Sequence, residues 1–269
     1  MLSLYPKEMG GGSMGPVFSE APALWGTVHI GALLLILLAN IALGIVLRDL
    51  SSEKLLRVLH KLGLVMLIAE VFKQWYCYSY VFNKEPNLWF FPWQLCSMAM
   101  YVSFLTKYVR KKTLSAFLVF LASYSLLGGI VALVLPYDML RPQIALVVHS
   151  FAYHGLIVTE AMIAFMILKK RSEKASLRFL PATLLFLAMA AVAEVINVIS
   201  HVILRDPKLE PNMFYITPFY SSTQPVLSDI ASKYGIPVEL AVYIGLIILT
   251  CFVIFSIEKL LLHKRLTKN

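Results

Sequence analysis

Seven long apolar blocks constrain the fold of this 269-residue chain more than any other feature. They lie at about residues 23–47, 55–80, 90–107, 113–135, 143–168, 179–203 and 236–262. A helix needs roughly 20 apolar residues to cross about 30 Å of hydrocarbon. Because lipid offers no hydrogen bonds to a backbone, only helices and closed barrels span it. The sequence therefore predicts an all-α polytopic bundle of seven transmembrane helices, with a membrane domain at 23–262.

The basic residues predict how this bundle is oriented. Of the 24 lysines and arginines, 17 lie in one set of alternating connections, 6 in the other, and the last, Lys73, lies inside the second block. Cytoplasmic loops carry such an excess of positive charge. We therefore expect residues 1–22 outside the cytoplasm and a basic tail, 263–269, in the cytoplasm of a multi-pass cell-membrane protein. The same asymmetry explains the net charge of +9 without a nucleic-acid partner.

One long connection, residues 204–235, lies on the predicted outer side. Prolines and aromatic residues lead it, and the pattern then predicts a short amphipathic helix with Thr223 as its cap, Pro225 in its first turn and Gly235 at its end. Two interpretations are equally good from the sequence. The loop is either a lid over the outer mouth of the bundle or an ordered connector.

Polar side chains interrupt the apolar blocks in a regular way. In the second block, Glu70, Lys73, Gln74 and Cys77 follow the i, i+3, i+4, i+7 spacing of one helix face. Ionisable residues inside a membrane are functional-site hypotheses by default. The predicted outer half of the membrane contains Glu70, Lys73, Gln74, Gln94, Cys96, His149, His154, Glu194, Asn197 and His201. This shared depth predicts a polar cavity open toward the outer side, with Asn212 of the long connection above it.

Structural roles remain alternatives for several of these residues. Glu70 and Lys73 form either part of a site or an ion pair that fixes helix register. Gln74 and Asn197 either line the cavity or bond neighbouring helices.

A cysteine and a histidine at one depth are the parts of a thiol nucleophile and its base. The candidates are Cys96 as nucleophile and His154, or as second choice His149, as base. Gln94, Gln74 or Asn197 are candidate donors to an oxyanion. His149 and His154 are five residues apart, which does not place two metal ligands on one helix face, so we expect no metal and no cofactor.

Several short motifs together resemble the YwaF-type family of bacterial integral membrane proteins. They are Glu70, the stretch FPWQLC at 91–96, the pair His154–Gly155, Asn197, and PNMFYITPF at 211–219. That family is similar to an animal transmembrane acyltransferase that moves acyl chains between phospholipids. The family pattern Pro-x-His-x-Cys matches at Pro92 and Cys96, with Gln94 at the histidine position. In the animal branch the acyl-carrying cysteine directly follows the proline, where this chain has Trp93.

The resemblance implies a bacterial plasma-membrane protein that acts on membrane lipids. With the cavity residues, it favours an acyltransferase that takes a phospholipid or another acyl-bearing amphiphile and forms a thioester on Cys96. The alternatives are a transporter or a receptor that binds a small molecule or lipid without reacting, and a purely structural role. The sequence does not determine the oligomeric state.

Overall fold

The chain folds into helices. The computed structural model describes residues 17–82, 84–85, 87–171, 178–204, 210–221 and 225–263, so most of the predicted segment 1–22 and of the tail 263–269, and also Thr223, lie outside the described residues. The described ranges contain no β-strand. Their α-helices are α1 (Thr27–Leu47), α2 (Ser52–Tyr76), α3 (Met98–Leu105), α4 (Lys111–Phe120), α5 (Leu126–Val134), α6 (Ile144–Arg171), α7 (Phe179–Leu204), α8 (Pro225–Tyr234) and α9 (Ile236–His263).

Five helical segments are long and apolar enough to cross a membrane. They are Thr27–Leu47, Lys111–Val134, Ile144–Arg171, Phe179–Leu204 and Ile236–Leu262. The second joins α4 to α5 through a π-helical turn, Leu121–Ser125. The all-helical membrane architecture is thus confirmed, while the count of seven spans and the orientation of the termini stay predictions. The two remaining blocks form α2, which carries six charged residues, and a shorter apolar helix, Leu95–Leu105.

The middle of the bundle is formed by α6 and by the α4–α5 span, whereas α1 and α9 are largely exposed at its edge. Aromatic stacking holds the centre together. The ring of Tyr124 stacks on Phe186 of α7 with 4.9 Å between centroids. Its hydroxyl donates a 2.9 Å hydrogen bond to Thr183 Oγ1. The exposed edge helices carry apolar side chains outward, as a lipid-facing surface requires.

Helices α2 and α3 approach each other most closely at Gly63. A Cβ atom at this position would meet backbone atoms of Phe104 and Met100. There is no room for a side chain at this position, so it requires glycine, as at other close helix crossings in membranes. The contact fixes α3, and with it the turn before it, against α2.

The connection after α7 is inserted into the bundle. Residues Asn212, Met213, Phe214, Ile216 and Thr217 are buried, and a single 3₁₀ turn covers Met213–Tyr215. The predicted amphipathic helix is confirmed as α8. Gly235 ends it with a φ of 86°, and its N–H donates to Ala231 O at 2.8 Å.

Candidate functional site

The stretch FPWQLC forms the turn that leads into α3. Pro92 has no N–H to donate, and the chain turns there with Trp93 N–H donating to Phe91 O at 2.8 Å. The hydroxyl of Tyr101 donates to Pro92 O at 3.1 Å and ties the turn to α3. Gln94 is extended, and a 3₁₀ turn then covers Leu95–Ser97. Cys96 therefore lies on a short turn at the start of α3.

A small cavity of about 70 Å³ brings together residues from three elements. Its lining consists of Glu70, Lys73, Cys96, Ser97, His149, Ser150, Tyr153 and His154. Five of these, Glu70, Lys73, Cys96, His149 and His154, are residues that the sequence analysis placed at one depth. The structure thus gathers a thiol, two imidazoles and an ion pair around one space.

The ion pair lies on α2. Lys73 Nζ is 2.7 Å from Glu70 Oε1, and both side chains are largely buried. Gln74 Nε2 donates to the same carboxylate oxygen at 2.7 Å and to Phe90 O at 2.5 Å. Gln74 does not line the small cavity. Gln74 instead holds the Glu70 carboxylate by a hydrogen bond to Oε1, and Lys73 neutralises the carboxylate charge at the same oxygen.

The two histidines of α6 differ in their surroundings. His154 Nδ1 is 2.8 Å from Ser150 O. Because a carbonyl oxygen only accepts, Nδ1 carries the proton, and Nε2 of the neutral ring keeps its lone pair. Nε2 of His149 and the hydroxyl of Tyr153 are buried and have no hydrogen-bond partner among the described residues.

Gln94 and Asn197 lie outside the cavity lining and bind the connection after α7. Gln94 Nε2 donates to Asn212 O at 2.9 Å, and Gln94 Oε1 accepts from Phe214 N–H at 2.8 Å. Asn197 Oδ1 accepts from Met213 N–H at 2.7 Å, and its Nδ2 donates to Met213 O at 3.1 Å. Asn212 Oδ1 accepts from Thr217 N–H at 3.0 Å. The three amides form a loop clamp, the name used below for Gln94, Asn197 and Asn212.

The loop clamp holds an unfavourable backbone conformation. Phe214 and Tyr215 have φ values of 57° and 58°. Left-handed conformations of residues with a Cβ cost about 1–2 kcal/mol each. The hydrogen bonds to Gln94 and Asn197 offset this cost, and burial of Met213 and Phe214 adds to the stabilisation. The clamp also connects the loop to the turn that carries Cys96, since Gln94 lies two residues before it.

Three cavity residues, Ser97, Ser150 and Tyr153, were missed by the sequence analysis. Tyr153 lies four residues after His149 on α6, so helical spacing was a signal that could have found it. The serines carried no such signal because they are common in membrane helices. Glu194, one turn before Asn197 on α7, is partly buried and does not line the cavity.

Cys77, Cys96 and Cys251 are free thiols. Cys96 is partly exposed and lines the cavity, whereas the other two are buried elsewhere. Trp93, at the position that directly follows the proline, donates from Nε1 to Met189 O of α7 at 3.2 Å and does not line the cavity. Within the described residues, no group of three or more His, Cys, Asp or Glu is arranged to hold a metal ion.

Comparison with known proteins gives one match. The family model described as the TMEM164 family matches residues 24–258, which include every residue of the cavity and of the loop clamp. Searches among curated proteins and among solved structures find no match. This multi-pass membrane protein therefore belongs to the TMEM164 family.

Proposed function

We propose that this protein is a membrane acyltransferase that moves an acyl chain between lipids through a thioester on Cys96. The observation that supports it is the small cavity, where Cys96 lies with His149 and His154. A thiol becomes a strong nucleophile when an adjacent base removes its proton. About 70 Å³ is far below the roughly 300–1,000 Å³ of a drug-sized ligand site. The cavity therefore admits the reacting ester group, and the rest of the lipid lies outside it.

His154 is the better candidate for the base. Its Nδ1 proton is committed to Ser150 O, so its free lone pair is on Nε2. A fixed tautomer keeps a catalytic imidazole ready to accept a proton. His149 remains the second choice, because it lines the same cavity and its buried Nε2 has no hydrogen-bond partner among the residues that the structure describes.

The reaction proceeds in two balanced halves. In the first, the Cys96 thiol gives its proton to His154, the sulfur bonds to the acyl carbon of the donor lipid, and the ester C–O bond breaks. The leaving lysolipid oxygen takes the proton back from the imidazolium. In the second, the hydroxyl of an acceptor lysolipid gives its proton to His154, attacks the thioester and releases the Cys96 thiolate, which is reprotonated by the imidazolium.

Tyr153 and Lys73 support the negative charge that develops on the carbonyl oxygen. The Tyr153 hydroxyl is a buried donor without a hydrogen-bond partner in the described part of the chain, and Lys73 brings a positive charge into the lining. Donors fixed in place before the reaction stabilise a tetrahedral oxyanion. Gln94 and Asn197, whose amides are engaged by the loop, act as positioning residues for the turn that carries Cys96.

A transporter or receptor is the second candidate function. The buried Glu70–Lys73 pair favours it, because paired charges inside a membrane bundle often mark a path or a binding site. In that case the same cavity binds without reacting, and Cys96→Ser retains function whereas Glu70→Gln does not.

The proposal includes the finer topology. Crossing by α2 and by Leu95–Leu105, in addition to the five apolar spans, gives seven crossings. It places the N-terminus outside and the C-terminus in the cytoplasm of a bacterial plasma membrane, in a YwaF-type protein. Labelling of single cysteines introduced at each terminus from one side of sealed vesicles tests this arrangement.

Acyl trapping tests the proposed reaction. Purified protein is incubated with phospholipids that carry a clickable acyl chain, and adducts sensitive to hydroxylamine are mapped in wild type, Cys96→Ala and His154→Ala. Cys251→Ala is the matched control, because that buried thiol does not line the cavity. We expect an adduct on Cys96 that fades in His154→Ala and persists in the control. A folded protein that binds lipid and forms no adduct would contradict the cysteine mechanism.

A further inference from the structure

A second, larger cavity lies at the end of α2 and has no role in the chemistry described above. Its volume is about 250 Å³. Its polar and aromatic lining residues are Gln74, Tyr78, Phe82, Glu85, Asn87 and Phe91. The helix widens here into a π-helical turn, Cys77–Val81, and such turns are frequent at functional sites.

The chemistry of this lining is that of a site for a positively charged group. Three aromatic residues, Tyr78, Phe82 and Phe91, surround the space together with the carboxylate residue Glu85. Aromatic faces attract cations, and cages of such rings recognise ammonium groups. Glu85 forms no ion pair with any described residue, so no cation in that part of the chain neutralises its charge.

The neighbouring aromatic ring already binds cations in this way. Arg141 lies 4.6 Å and Lys73 Nζ 5.9 Å from the centroid of Phe90. Phe90 in turn packs edge-on against Phe82 with 4.9 Å between centroids. Both cations have partners of their own: Lys73 pairs with Glu70, and Arg141 donates to Asp138 O. Neither therefore needs the Glu85 carboxylate.

The position of the cavity fits the headgroup level of a membrane. Trp75 is on the last turn of α2 and Trp89 in the 3₁₀ turn Leu88–Phe90, and tryptophans concentrate at membrane–water interfaces. Tyr78 and Phe91 are exposed, so the cavity opens to the outside of the bundle. Its volume is below that of a drug-sized site, which suits one small headgroup better than a whole lipid.

We propose that this second cavity binds an ammonium group, held by Tyr78, Phe82 and Phe91 and neutralised by Glu85. Gln74 connects it to the small cavity, because Gln74 lines the larger space and donates to Glu70 in the smaller one. In this assignment a zwitterionic acyl donor places its ammonium group in the larger cavity and an ester group in the smaller one. This last assignment, of the ammonium group to the acyl donor, rests on the proposed function.

Binding of short-chain lipids to the purified full-length protein tests the site. The probes are dihexanoylphosphatidylcholine, dihexanoylphosphatidylglycerol and choline chloride, titrated calorimetrically in a maltoside detergent. We expect the choline lipid to bind at least tenfold more tightly than the glycerol lipid, and Glu85→Gln and Tyr78→Leu each to weaken it about fivefold to tenfold. Glu53→Gln, which removes an exposed charge at the other end of α2, should leave binding unchanged.

The probes also distinguish the source of the ammonium group. Choline chloride that binds as tightly as the choline lipid identifies a free ammonium compound as ligand, whereas much weaker binding identifies the lipid headgroup. Equal binding of the two lipids, or loss in Glu85→Gln no greater than in Glu53→Gln, overturns the site. Acyl trapping on Cys96 is read separately: an adduct without headgroup selectivity rejects only the ammonium site, and headgroup selectivity without an adduct rejects only the acyltransferase.

Discussion

Asn197 of α7 hydrogen-bonds both backbone groups of Met213, accepting from its N–H at 2.7 Å and donating to its carbonyl at 3.1 Å. Both residues are buried. The side-chain amide of Asn197 thus satisfies both backbone groups of Met213, as a neighbouring strand would in a sheet. Gln94 repeats the arrangement with Asn212 and Phe214.

Asn197→Ala should destabilise the protein by about 1–3 kcal/mol for each Met213 group left without a partner. The loop at 210–221 should also become accessible to proteases, because the left-handed residues Phe214 and Tyr215 lose their support. Thermal unfolding in detergent and limited proteolysis measure both effects. Ser256→Ala, which removes a hydrogen bond to Phe252 O of the same helix on the half-buried side of α9, should shift stability by less than about 0.5 kcal/mol. An unchanged melting temperature in Asn197→Ala would show that the loop does not depend on the clamp.

Lys73→Met should cost more stability than the double change Glu70→Gln with Lys73→Met. Removal of one partner leaves the other charge buried and unpaired, which costs roughly 3–5 kcal/mol of stability. Removal of both partners leaves no unpaired buried charge. A double-mutant cycle by thermal unfolding measures the coupling. Additive effects would mean that the pair, 2.7 Å apart, contributes no net interaction.

Gly63→Ala should destabilise the bundle by about 1–3 kcal/mol or more, because the new methyl group meets backbone rather than a movable side chain. Gly245→Ala on α9 is the matched control. Nothing lies within 4 Å of a Cβ there, so alanine should leave stability equal or higher. Melting temperatures of the two variants measure the difference, and equal losses would contradict a steric conflict specific to Gly63.

His154→Gln should lower the rate of Cys96 acylation by about 10²–10⁴-fold if His154 is the base. His149→Gln should have a smaller effect, since His149 lines the same cavity but is not the proposed base. Single-turnover acylation with clickable phospholipid measures both rates at matched protein folding. A larger loss in His149→Gln would exchange the two roles.

Local patterns predicted much of the fold. Five of the seven apolar blocks correspond to helices that are long and apolar enough to cross a membrane. Long apolar blocks predict helices because lipid offers the backbone no hydrogen-bond partner outside its own helix. The i, i+3 spacing of Glu70 and Lys73 allowed an ion pair, and Lys73 Nζ lies 2.7 Å from Glu70 Oε1. Gly235 predicted a helix end, because a left-handed residue without Cβ suits that position.

The candidate site was predicted only in part. Depth along each block brought Cys96, His149 and His154 to one level, and the structure places all three in one cavity. Depth did not show that Gln94 turns away from that cavity to Asn212 and Phe214. Rotation of each helix and the path of the loop decide such contacts, and both depend on residues more than 100 positions away.

Two histidines with similar sequence surroundings make different contacts in the tertiary structure. His29 and His154 both interrupt apolar segments. His29 Nδ1 accepts from Trp25 N–H at 3.0 Å in the turn before α1, and Nε2, 2.8 Å from Leu133 O, holds α1 to α5, so both ring nitrogens are engaged. His154, in contrast, contacts Ser150 O through Nδ1 and lines the same cavity as Cys96. The sequence by itself determined that this chain is a bundle of membrane helices, because hydrophobicity acts through composition and length. Only packing between distant helices decided which polar side chains meet, because hydrogen bonds act over a few ångströms and in fixed directions.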